Sequence, residues 1–200
     1  MELGSGQALQ TSPSSASRLL GIAGILGGAV LLVVFLVDLP ADLNPLRLVL
    51  FNAGAIAIVA AVHPRQASAA PTLSLLAAVP AVLANAWYVA MVVLATARPQ
   101  PFAGDFGFVF FLAAVSMWLA DAVFGLVAVR LGRVTRWGAL ALAVGSVLAL
   151  TGVDRLGLTS SANPTLFLPL SLTGIALNGV GWILLGIDIA TRGRQAASPR

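Results

Sequence analysis

Residues 107–129 read GFVFFLAAVSMWLADAVFGLVAV, an apolar run broken by one carboxylate, Asp121, and closed by Arg130. A helix needs ~20 apolar residues to cross ~30 Å of hydrocarbon, and this run has that length. Its apolar residues do not alternate with polar ones, so it does not read as a half-buried strand. Asp121 lies nine residues short of Arg130. On insertion scales an acid at that depth costs at least ~2.5 kcal/mol, so a partner, a proton or a water-filled cavity should offset it.

The remaining sequence repeats the apolar pattern. Runs cover Arg18 to Val37, Leu46 to Val62, Pro71 to Ala95, Gly107 to Val129, Trp137 to Val153 and Leu166 to Ala190. With 59% hydrophobic residues, 9% charged residues and a mean hydropathy of +0.99, the 200-residue chain is far more apolar than a soluble domain. The expected fold is all-α, a polytopic transmembrane bundle of six helices over residues 18–190. Tails at 1–17 and 191–200 are expected to flank it, the first too polar to bury a core and therefore expected to be disordered. The first run exceeds a usual signal-peptide core and is followed by Asp38-Leu39-Pro40 instead of a small-residue cleavage site, so it reads as a retained helix. Connections carry breakers: Pro40 and Asn44-Pro45, Pro64, Pro99 with Pro101 and Gly104, Gly132, and Gly157 with Asn163-Pro164.

Cysteine and lysine are both absent. Disulfides, thiolate nucleophiles and the common zinc or iron-sulfur ligand sets are thereby excluded, as is Schiff-base chemistry. No P-loop, GxSxG elbow, HExxH or dinucleotide-binding glycine turn occurs, so the chain is not expected to be an enzyme or to hold a cofactor. The net charge of +4 is carried by arginines beside apolar runs and reflects topology; nucleic acid is not an expected partner.

With six spans, Arg18, Arg65, Arg130, Arg133, Arg136, Arg192, Arg194 and Arg200 share one side against Arg47, Arg98 and Arg155 on the other. Cytoplasmic loops are the arginine-rich ones, so both termini are expected in the cytoplasm. Asp38, Asp42, Asp105 and Asp154 fall outside.

Helices in lipid associate through small residues and hidden polar side chains. Steps of three and four place Ser171, Gly174, Asn178, Gly181, Leu185 and Asp188 on one stripe of the sixth helix. Ser74, Ala78, Ala81, Asn85, Tyr88 and Val92 form the equivalent stripe on the third. Gly24 and Gly28 make a GxxxG, and Ala53, Ala57 and Ala61 repeat that spacing in the second helix. Asp121 shares its face with Ala114, Trp118, Gly125 and Ala128, with Met117 close by.

Asp121, Asn85, Ser146 and Asn178 all sit near helix midpoints and are candidates for a shared ligand or proton-relay layer; Asn52 lies nearer the outer third. Desolvation favours a neutral acid, hydrogen-bonded to Asn85 or Asn178. The competing reading gives Asp121 a structural role in helix register. Asp188, four residues before Arg192, reads as half of a local ion pair. His63 reads as an exposed interfacial residue without metal partners. Trp87, Tyr88, Trp137 and Trp182 are candidates for the interfacial aromatic belt, most clearly Trp137 beside Arg136. Pro80 and Pro169 fall within helices.

The segment Val123-Phe124-Gly125-Leu126-Val127-Ala128-Val129-Arg130, followed by Arg136-Trp137-Gly138-Ala139-Leu140, resembles the helix-arginine-turn-Arg-Trp-helix element of small uncharacterised bacterial multi-pass membrane proteins. The closing Gly181-Trp182-Ile183-Leu184-Leu185-Gly186 is similar to theirs as well. The resemblance implies the bacterial inner membrane and carries no activity with it. Two functions are expected, in order: a membrane-embedded binding or assembly subunit, with another membrane protein or a second copy as partner, then a small proton-coupled transporter using Asp121. The lipid bilayer is a partner in either case.

Overall fold

The computed structural model describes residues 14–36, 44–98, 104–151 and 164–192. They form α1 (Ser15–Leu36), α2 (Asn44–Ala67), α3 (Pro71–Thr96), α4 (Gly104–Leu131), α5 (Arg136–Leu150) and α6 (Pro164–Thr191), with no strand among the described residues. Five of the six are long and apolar enough to cross a membrane, as in a membrane-embedded protein. The exception is α5, whose 15 residues extend ~22 Å. Expectations for the tail before Ser14, the tail beyond Arg192, and Asp38, Asp42, Asp154 and Arg155 lie outside the described residues.

Local chemistry explains the helix ends that differ from the apolar runs. Ser14 Oγ accepts the Ser17 backbone N–H at 3.2 Å, an N-cap that starts α1 before Arg18. Pro64, expected to break the chain, lies inside the last turn of α2. A proline there removes only one donor, and the helix runs on to Ala67 before the Ser68–Ala70 turn and Pro71, which starts α3. After the last turn of α4, Gly132 takes φ +61° and its N–H reaches Ala128 O at 3.1 Å, closing the helix. That left-handed conformation favours glycine.

Each helix packs against the next in sequence, and α6 returns to α1, so the six form a closed ring in which α2 and α6 also touch. Glycines set the close approaches. A Cβ at Gly181 would lie 2.6 Å from the Leu142 backbone nitrogen, one at Gly138 3.2 Å from that of Leu185, and one at Gly174 2.7 Å from Gly145 O. Successive contacts therefore descend α6 as they climb α5, an antiparallel pair in tight register. On α1 the GxxxG divides its work: Gly24 abuts Ile58 of α2, whereas Gly28 abuts Gly179 and Ile183 of α6.

The stripes of α3 and α6 point inward, with Ser74, Asn85 and Asn178 fully buried. The α2 alanine stripe does not. Ala53 is exposed, Ala57 and Ala61 are half-buried, and the inward face is built from Phe51, Asn52, Ala55, Ile58, Val59 and Val62. Apart from Ala55, the side chains at those positions bury more surface than alanine could, which overrides the small-residue spacing. Outside the ring the exposed face is apolar, with Leu19, Leu26, Leu83, Leu119, Leu126 and Val147 among its residues. Hydrocarbon surroundings require that inversion of a soluble protein's surface.

Candidate polar site at the bundle centre

Asp121 occupies the inward face of α4 with no exposed surface, among Ala114, Met117, Trp118, Gly125 and Ala128, all buried. Of the two amides expected as possible partners, α3 supplies the one that binds. Asn85 Nδ2 donates to Asp121 Oδ1 at 2.9 Å and also to Ala81 O at 2.8 Å. The other two candidates pair with each other: Asn178 Nδ2 donates to Ser146 Oγ at 2.9 Å, while Ser146 Oγ donates to Leu142 O at 2.8 Å. The four residues thus form an α3–α4 pair and an α5–α6 pair, each closed on itself.

Packing puts both pairs at one level. Gly125 of α4 abuts Ala139 and Ala143 of α5, so Asp121, one turn back, lies level with the turn that contains Ser146. Gly145 abuts the Asn178 backbone directly. Asn52, also fully buried, donates instead to Leu48 O at 2.6 Å on its own helix.

Aromatic pairs lie on both sides of Asp121 along α4. Three residues before it, Trp118 approaches Phe51 of α2, with ring centroids 6.5 Å apart. Three residues after it, Phe124 stacks on Trp182 of α6 at 6.2 Å and 21°. Trp182 is therefore a fully buried core residue and not part of an interfacial belt. Its reassignment follows from α6 presenting that face to the ring centre. Trp137 is 76% exposed, and Tyr88 packs edge-on against Phe110 at 5.4 Å.

The layer contains more acceptors than donors. Asp121 Oδ2, Asn85 Oδ1 and Asn178 Oδ1 are buried without a hydrogen-bond partner, and so is Trp182 Nε1 one turn away. Buried polar atoms are usually paired, and four of the six unpaired ones among the described residues fall in this layer or one turn from it, Asn52 Oδ1 and Gln66 Nε2 being the others, which makes the layer the candidate site.

A second polar cluster sits at the end of the bundle where α2 and α6 finish. Asp188 pairs with Arg192 at 2.7 Å, the local pair expected from their spacing. It also pairs with Arg65 of α2 at 3.5 Å and accepts a backbone hydrogen bond from Thr135. Arg65 donates further to Ile189 O at 3.3 Å and Arg192 O at 2.7 Å, tying α2 to the end of α6. Position in sequence could not reveal Arg65, 123 residues from Asp188. His63 differs from its expected exposure: it is half-buried, with Nδ1 2.8 Å from Ser74 Oγ, because Pro64 does not end α2 and the ring is carried against α3. No group of three or more His, Cys, Asp or Glu suited to a metal ion occurs among the described residues. Comparison with protein-family models, curated proteins and solved structures returns no match, so the site's geometry is the ground for a functional reading.

Proposed function

We propose that this is a six-span protein of the bacterial inner membrane, with both termini in the cytoplasm, that works as a small proton-coupled carrier with Asp121 as its proton-binding group. One observation carries the reading: a fully buried acid–amide pair joins two helices within a layer of donor-less oxygens. Buried intramembrane acids of this kind mark proton and ion pathways. The aromatic pairs Phe51–Trp118 and Phe124–Trp182 cover the layer from its two sides, as an occluded carrier requires. Counting α5 as a sixth span is supported by its packing along α6 from Gly138 to Ala149. The arginine asymmetry supports the orientation.

The test is proton flux into vesicles reconstituted with the purified protein and loaded with a pH-sensitive dye, driven by an imposed membrane potential. Flux should be present with the unaltered chain and lost in Asp121→Asn at unchanged thermal stability. Equal flux in the two would sink the carrier reading.

The second reading, a binding or assembly subunit, is supported by a groove of about 340 Å³ between α2 and α3, lined by Val59, His63, Leu75, Val79, Val82 and Leu83. An apolar groove of that size suits the side chains of a partner helix. Against it, the small-residue faces of α1, α5 and α6 are used within the chain. Intact-complex mass spectrometry from native lipid would decide: a stoichiometric second protein favours the subunit.

A further inference from the structure

Donors and acceptors around Asp121 balance only if one more hydrogen is present. Both amide hydrogens of Asn85 are committed, to Ala81 O and to Asp121 Oδ1, which fixes the amide's orientation. Turned over, its oxygen would face two acceptors. Asn85 Oδ1 and Asp121 Oδ2 are thus both left as acceptors on the two partners of one hydrogen bond, and neither has a donor. Both oxygens are fully buried, out of reach of bulk solvent in this arrangement, and a proton needs no space of its own there.

Among the described residues, no charge on the helices around Asp121 stands close enough to compensate a carboxylate. The two ion pairs found among the described residues both belong to Asp188. Between Pro71 and Thr96, α3 carries no Asp, Glu, Lys, Arg or His, and Tyr88 is its one titratable group. On α5 the charge is Arg136, at its first residue, and on α4 itself Asp105 and Arg130 stand near the two ends. Across the ring, α2 carries Arg47, His63 and Arg65, and α6 carries Asp188, all towards helix ends.

We infer that Asp121 and Asn85 hold a proton between them as a two-bond acid–amide ring. One H⁺ from bulk solvent forms an O–H bond at Asp121 Oδ2, which donates to Asn85 Oδ1, while Asn85 Nδ2 donates to Asp121 Oδ1. No bond to carbon changes, and release of the same H⁺ restores the carboxylate. The pair's ligand is then a proton and not a metal cation. That this proton is the coupled ion rests on the carrier reading; its presence does not.

Infrared difference spectra between the unaltered chain and Asp121→Asn, in neutral buffer, test the ring. Asparagine reproduces both bonds, with its own amide donating to Asn85 Oδ1, so the variant should fold. The expected difference is loss of one protonated-carboxyl C=O band with no loss of carboxylate bands, and Asn85→Leu should shift that band to higher frequency. Loss of a carboxylate band instead would overturn the inference. Should Asp121→Asn fail to fold, carboxyl-carbon NMR of the ¹³C-aspartate-labelled native chain makes the same distinction. One protonated resonance at neutral pH is expected there, and finding none would overturn the ring. A protonated Asp121 without proton flux would sink the carrier reading and leave the ring intact.

Discussion

Gly145 of α5 lies directly against the main-chain nitrogen of Asn178 on α6, and this approach lets Asn178 reach Ser146 at 2.9 Å. No flexible side chain stands there to move aside. A methyl group at position 145 would push the two helices apart at the polar layer. Gly145→Ala should therefore destabilise the protein by about 1–3 kcal/mol, the range for overpacking a close-packed interior. Thermal unfolding in detergent reads this, with Gly104→Ala as a poor control because its φ of +59° is itself unfavourable for a side chain. Gly145→Ala melting together with the unaltered chain would contradict the packing.

Asp121→Leu removes the acceptor for one Asn85 N–H in a site that water does not reach. An unsatisfied buried donor costs about 1–3 kcal/mol, so this variant should lose stability while Asp121→Asn retains it. Chemical denaturation of the two side by side separates a polar requirement at this position from a requirement for volume alone.

The two arginines on Asp188 should differ in weight. Arg192 has a side chain 62% exposed, and such pairs contribute ~0–1 kcal/mol. Arg65 is 15% exposed and bonds, besides the carboxylate, to the carbonyl of Ile189 in α6 and to that of Arg192 just past its end. Arg65→Gln should cost ~1–3 kcal/mol, the scale of charge-assisted hydrogen bonds, and should increase protease access at the end of α6. Equal effects of Arg65→Gln and Arg192→Gln would show that the interhelical bonds contribute nothing.

The chain lacks cysteine, so Ser146→Cys places a single thiol in the polar layer. With both aromatic pairs in place it should resist a membrane-impermeant thiol reagent from either side. Trp118→Ala should admit the reagent from one side and Trp182→Ala from the opposite side. Labelling that increases from the same side in both variants would rule out the two pairs as opposed covers.

Much of the fold was legible in the apolar runs, because their length and breaks are set by backbone hydrogen bonding and hydrocarbon thickness. The inward faces of α3, α4 and α6 were legible too, since Asn85, Asp121 and Asn178 each mark a side that lipid disfavours. Where a helix is apolar all round, that signal vanishes. Alanine spacing on α2 pointed to Ala53, which is exposed, while Phe51 and Ile58 face the core. Trp182 looked interfacial because tryptophan serves both settings, and only its contact with Phe124 distinguishes them.

Composition and run length by themselves determine a set of long apolar helices suited to a membrane, with one acid deep in the fourth, because these properties depend on transfer from water and not on partners. Tertiary structure decided that Asp121 takes Asn85 and not Asn178, that Ser146 and Asn178 pair separately, and that Arg65 joins Asp188. Those choices depend on the rotation and register of neighbouring helices, which glycine contacts between distant segments set.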